Sequence, residues 1–122
     1  MTKLLRVLII DDVDEMRMLI AEVLNTIPSL KLSGQAANTA EARLELERRK
    51  PDLILLDEVL PGESSLDFLA EILVEGISVI LVTSLEQLPT TLPGGVLGRL
   101  KKPHWKNTSI FEQDLLRTIA LR

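Results

Sequence analysis

At 122 residues and a formal net charge of −4, the chain is long enough for one domain and too short for two. The acidic balance argues against gripping nucleic acid, which depends on a concentrated surplus of Lys and Arg. The absence of cysteine excludes a disulfide framework, a thiolate metal site and a cysteine nucleophile, and with two Phe, one Trp and no Tyr the core has to be built from Leu, Ile and Val.

The opening "MTKLLRVLIIDD" carries a basic residue and an apolar run, but the run meets two aspartates and has no small-residue cleavage site. It reads as a buried strand over 5–10, not as a signal peptide. A helix follows over 13–27, with Met16, Leu19, Ile20, Val23, Leu24 and Ile27 at helical spacing, until Pro28 stops it. "LKLSGQA" (30–36) alternates weakly, as an edge strand does. Asn38 with Glu41 three positions on is a capping box for a helix over 39–49, with Ala40, Leu44 and Leu46 facing in and "ERRK" as its solvated end. "DLILLD" (52–57) is the most hydrophobic strand. A helix of about 64–75 follows, with Leu66, Leu69, Ile72 and Leu73 on one face and Gly76 ending it.

"ISVILVTS" (77–84) is a fourth buried strand, and "GVLGRLKKP" (95–103) contains a short fifth. Between them "LEQLPTTLPGG" (85–95), with two prolines and two glycines, cannot sustain a normal helix, so any helix there is short or disrupted. A last helix begins near Ser109, where Glu112 completes a second capping box, and carries Ile110, Leu115, Leu116 and Ile119. Strands alternating with amphipathic segments predict an α/β fold, a parallel sheet with helices on both faces, in a single domain spanning 1–122. No apolar stretch approaches the ~20 residues needed to cross a bilayer, so the expectation is a cytoplasmic protein that touches no membrane.

In such a sheet the carboxyl ends of the strands gather on one edge, where ligands bind. The strands deliver Asp11 and Asp12, Asp57, Thr83 with Ser84, and Lys102 to that edge. Three carboxylates from two central strands repel one another unless a cation or protons intervene. Hard oxygen ligands without His or Cys point to Mg²⁺, or Mn²⁺ in its place, ions that keep waters and share their site with phosphate. A carboxylate nucleophile beside such an ion can form an acyl phosphate, with Lys102 pairing with one phosphoryl oxygen and the Thr83 hydroxyl donating to another. His104 stands without other ligands and reads as a loop residue, and Trp105 as a packing or partner contact.

From "VLIIDD" through "PDLILLDEVLPG" and "VILVTS" to "LKKP", the chain resembles the receiver domain of two-component response regulators over essentially its whole length. The resemblance implies a CheY-like, flavodoxin-like sheet of five strands in the order 2-1-3-4-5. It implies that Asp57 accepts a phosphoryl group from a histidine kinase or phosphotransfer protein. Asp11, Asp12, Asp57 and the backbone carbonyl of Val59 would hold Mg²⁺, Thr83 and Lys102 would bind and sense the phosphoryl group, and the Lys102–Pro103 peptide would be cis. A downstream effector protein or attached output domain would read the signal. No enzyme activity beyond self-directed phosphotransfer and autodephosphorylation is implied, and no direct contact with nucleic acid. The stretch from "PSLKLSGQA" to "DEVLPG" is similar to the receiver half of chemotaxis methylesterases, and no esterase half is expected within these residues.

Departures from the family pattern bear on how a signal is read. Leu60 for the usual Met is a near-isosteric exchange, and Ser65 for the usual Gly leaves the turn into the third helix open. Arg99 stands where relatives carry Tyr or Phe, and a guanidinium cannot fill an aromatic slot without a partner. Strand alternation turns Glu58 away from Asp57, so it is no metal ligand. The alternative reading is a pseudo-receiver, an interaction module working without phosphate. An aspartate-nucleophile phosphohydrolase is disfavoured because Asp57-Glu58-Val59 lacks the Asp-x-Asp pattern such enzymes use.

Overall fold

The computed structural model describes residues 3–84 and 91–122. Its elements are β1 (Leu5–Ile10), α1 (Asp14–Asn25), β2 (Leu30–Ala36), α2 (Thr39–Arg48), β3 (Leu53–Asp57), α3 (Ser65–Val74), β4 (Ser78–Thr83), β5 (Val96–Lys101) and α4 (Ser109–Ile119). All strand pairs are parallel and the sheet runs β2-β1-β3-β4-β5, the expected order. No helix among the described residues is long and apolar enough to cross a membrane.

The period of two along a strand divides the core between the two faces of the sheet. Val7, Ile9, Leu53, Leu55, Ile80 and Val82 face Ile20, Val23 and Leu24 of α1 and Phe111 and Leu115 of α4. Their neighbours Leu8, Ile10, Ile54, Leu56, Val79 and Leu81 face Ala42 of α2 and Phe68, Leu69 and Ile72 of α3. With helices on both sides, every residue of β3 is buried, which explains why that run is uninterrupted by polar residues until Asp57.

The helix faces depart from expectation. In α2, Leu46 packs half-buried against the core as expected, but Ala40 and Leu44 are exposed and the small residues Thr39 and Ala42 are the buried ones. In α3, Leu66 points to solvent while Phe68 is buried, and in α4 Ile110 and Leu116 are exposed while Phe111 is buried. Apolar residues on two adjoining stripes of a helix satisfy the same period, so spacing alone does not select the stripe that packs.

The caps also divide. Asn38 accepts from the Glu41 amide at 2.9 Å, and Glu41 reaches back to the amide of Ala37 at 2.7 Å. The second capping box does not form: Thr108 precedes α4 without a side-chain cap, Ser109 bonds Asn107, and the Glu112 carboxylate accepts instead from the Thr26 hydroxyl at 2.9 Å. A tertiary partner at the end of α1 has replaced the local one.

Gly76 ends α3 with φ of 77°, as expected. Of the stretch 85–95, residues 85–90 lie outside the described residues; 91–93 are irregular and 94–95 form a turn into β5. There is no cis peptide bond among the described residues, so the expected cis Lys102–Pro103 is corrected to trans, the isomer that X–Pro bonds prefer by ~0.5–1 kcal/mol when the surroundings do not impose the other.

Candidate functional site

The parallel register brings the site together. Ile10 pairs with Leu56, and Asp57 with Val82, so the residues ending β1, β3 and β4 emerge side by side. Asp11 follows β1 and is 1% exposed; Asp57 ends β3 at 4%, and Thr83 ends β4 at 1%. Asp12 is exposed at the rim. Lys102 arrives just past β5, tied to the same edge by its amide, which donates to the Thr83 carbonyl at 2.8 Å.

Lys102 Nζ bridges the buried acids, 3.0 Å from Asp11 Oδ2 and 3.1 Å from Asp57 Oδ2. The remaining carboxylate oxygens face the backbone: Asp11 Oδ1 accepts from the Val13 amide at 2.8 Å, and Asp57 Oδ1 from the Val59 amide at 3.1 Å. Asp11 Oδ2 is buried and has its ion-pair contact with Lys102 but no hydrogen bond of acceptable geometry. Val59 itself is exposed, its chain folded back toward Asp57. Ser84 is exposed beyond Thr83, and His104 is a loop residue whose Nδ1 accepts from the Lys106 amide.

Burial pushes the Asp57 carboxyl above the usual carboxylate range, outweighing the Val59 amide and the Lys102 ammonium that pull it down. Burial also opposes the Lys102 charge, but its bonds to Asp11 and Asp57 prevail and hold the ammonium above its ordinary value. Two buried carboxylates thus share one cation.

A hard cation fits this donor set. Oxygens of Asp11, Asp12 and Asp57 lie within 4.8 Å of one another, and buried Asp11 Oδ2 has the Lys102 ammonium as its counter-charge. Oxygen donors without His or Cys suit Mg²⁺ or Mn²⁺.

One contributor, Arg17, escaped the sequence reading, and for two residues that it did consider, Ser65 and Glu58, it missed the partners. Arg17, one turn into α1, donates to the Asp11 carbonyl and pairs with Asp14; the Asp14–Arg17 spacing was its only local signal. Ser65 begins α3 behind the Ser64 cap and donates its hydroxyl to the Asp57 carbonyl at 3.1 Å. The turn into the third helix is therefore formed with Ser65 in place. Glu58 turns away from the acids, as alternation requires, and meets Arg99: Nε and Nη2 donate to its two oxygens at 2.8 Å each.

The model of the response regulator receiver domain family matches residues 7–109. Among curated proteins, the chain is 41% identical over 86 residues to a protein-glutamate methylesterase/protein-glutamine glutaminase of Agrobacterium fabrum, a match covering 70% of this chain and 24% of that protein. It is 30% identical to a protein of the same description from Anaeromyxobacter dehalogenans, over 96% of this chain and 36% of the relative. The match therefore spans about a quarter to a third of the length of these relatives. Among solved structures, the response regulator domain of Thermotoga maritima CheB superposes with a TM-score of 0.80 at 28% identity, covering 97% of this chain and 95% of that one. The crystal structure of the P1 domain of CheA3 in complex with CheY6 from R. sphaeroides contains a chain that matches with a TM-score of 0.79 at 27% identity, covering 97% of this chain and 98% of that one.

Proposed function

The chain belongs to the response regulator receiver domain family, and on that premise we propose that Asp57 is its phosphoacceptor, taking a phosphoryl group from a histidine kinase or phosphotransfer protein. The observation that carries this reading is the Lys102 ammonium held between Asp11 and Asp57 at the buried strand ends. A cation set there at a cost in desolvation is suited to charge arriving on Asp57.

In the proposed transfer an Asp57 carboxylate oxygen attacks phosphorus, the bond to the donor breaks with its electron pair, and an acyl phosphate results. Ser65 holds the Asp57 carbonyl and the Val59 amide holds Oδ1, so the nucleophile keeps its direction. Lys102 pairs with a phosphoryl oxygen, and Thr83 at the end of β4 donates its hydroxyl to another. Mg²⁺, or Mn²⁺, held by Asp11, Asp12, Asp57 and the Val59 carbonyl would supply positive charge against the transferred group.

A groove of about 490 Å³ between α1 and the loop after β5, lined by Val13, Met16, Met18, Leu19 and Trp105 among others, begins one residue from Asp12 and from Lys102 and offers the phosphodonor an apolar anchor. The signal passes to a downstream effector protein or attached output domain, from a single domain acting in the cytoplasm without membrane or nucleic-acid contact.

Trp105 is 72% exposed beside this groove and serves as the probe. Its fluorescence is titrated with Mg²⁺ and then with acetyl phosphate or beryllofluoride, with Asp57→Asn as control. A Mg²⁺-dependent change that disappears in the variant supports the phosphoacceptor. If neither metal nor donor produces an Asp57-dependent change, the reading fails and the pseudo-receiver takes its place.

A further inference from the structure

Arg99 occupies a crossing point in the sheet. Its β5 position pairs with Leu81 of β4, and Glu58, the residue after Asp57, leaves β3 with its amide donating to the Val82 carbonyl at 3.0 Å. The guanidinium therefore lies where the exit of β3 and the start of the chain into β5 approach each other. Nε and Nη2 grip both oxygens of Glu58 at 2.8 Å, and Nη1 donates to the Thr91 carbonyl at 2.9 Å. The Arg99 side chain is 7% exposed and that of Glu58 21%.

We propose that this clamp relays the state of Asp57 outward: displacement of Glu58 is carried by Arg99 to Thr91 and Leu92, with no inward swing of the residue at position 99. The inference rests on the phosphoacceptor reading of Asp57. A planar fork on a carboxylate fixes both groups in one orientation, and separating this partly buried pair leaves the Arg99 guanidinium, 7% exposed, short of its counter-charge. The pair accordingly moves as a unit, and an inward swing would strip the guanidinium of Glu58 and Thr91 together.

Phosphorylation exchanges the single negative charge of the Asp57 carboxylate for a phosphoryl group carrying about −1.5 to −2, a net gain of up to about one negative charge on the residue next to Glu58 in the chain. Glu58 is repelled by it, and the fork transmits the shift. The receiving segment ends in Leu92, which is 43% exposed and able to present the change to a partner.

The test is NMR on the full chain in Mg²⁺, following the Arg99 Nε–H resonance and the amides of Val59, Lys102, Thr91 and Leu92 before and after beryllofluoride. In the wild-type chain all of them shift. In Glu58→Gln, which keeps the shape of the side chain but not its charge, Val59 and Lys102 still shift while Thr91 and Leu92 lose most of their response. Arg99→Lys, which retains a charge without the fork, gives the same loss, and thermal melts show that both variants are folded. The relay is overturned if Thr91 and Leu92 shift as far in the folded variants as in the wild type, or if they shift in the wild type while Arg99 Nε–H does not. Silence at Val59 and Lys102 in the wild type would overturn the phosphoacceptor reading and the relay with it.

Discussion

Lys102 is the residue on which the site's electrostatics turn. It stands between two buried carboxylates, so removing it leaves them facing each other without a cation. Breaking a fully buried pair costs about 3–5 kcal/mol; Lys102 keeps 15% of its side-chain surface, and Lys102→Met is expected to cost on the order of 2 kcal/mol without divalent cation, less than that full penalty for its partial exposure. Urea denaturation measures it. The same variant binds Mg²⁺ more tightly, because the ammonium no longer competes for Asp11 and Asp57; an unchanged or weaker affinity in isothermal titration would contradict this account. The position of Lys102 at the acidic edge was legible from its place after the fifth strand. The partner of Arg99 was not, because Glu58 lies 41 positions away and meets it only across β4.

At the scale of elements, α2 and α3 are joined by Arg43, whose guanidinium grips Glu71 at 2.8 and 3.0 Å and lies 5.4 Å from the centre of the Phe68 ring. The bond to Arg43 holds the Glu71 carboxyl below the usual glutamate range. A depressed folded pKa means that the stabilising contribution is present above the unfolded value and is lost as pH falls through the folded one. In a ¹³C NMR titration Arg43→Ala moves the Glu71 midpoint upward, and in melts the difference between wild type and variant narrows on acidification to what the Phe68 contact contributes. A second contact constrains α4. A Cβ at Gly98 would come within 2.7 Å of Thr118 Cγ2, and the Thr118 hydroxyl is held by the Asp114 carbonyl at 2.7 Å, so the methyl cannot rotate away without losing that bond. Gly98→Ala is expected to cost about 1–3 kcal/mol, and adding Thr118→Ser, which deletes the methyl and keeps the hydroxyl, restores most of it. Absence of rescue in the double variant would place the strain elsewhere.

For the molecule as a whole, a ligand that binds only the folded state stabilises it by mass action, about 2.7 kcal/mol at a concentration of 100 Kd. Saturating Mg²⁺ therefore raises Tm, a chelator reverses the gain, and Asp11→Asn removes most of it while leaving the aliphatic core intact. An equal rise in the variant would place the ion outside the acidic cluster. The strands, their parallel arrangement and the carboxylates at their ends could be read along the chain, because a period of two, uninterrupted apolar runs and Pro or Gly punctuation are local properties of it. Asp11, Asp57, Thr83 and Lys102 were legible for the same reason: each directly ends or follows a strand that could be recognised. Which stripe of each helix packs was settled by the folded neighbours, since Leu44 and Ala42 fit one period equally well and the smaller residue is the buried one. Folding also decided which distant partners the polar side chains met. Glu112 left its own helix for Thr26, and Arg99 crossed β4 to Glu58, because an ion pair or hydrogen bond is selected by distance in space, which sequence separation does not reveal.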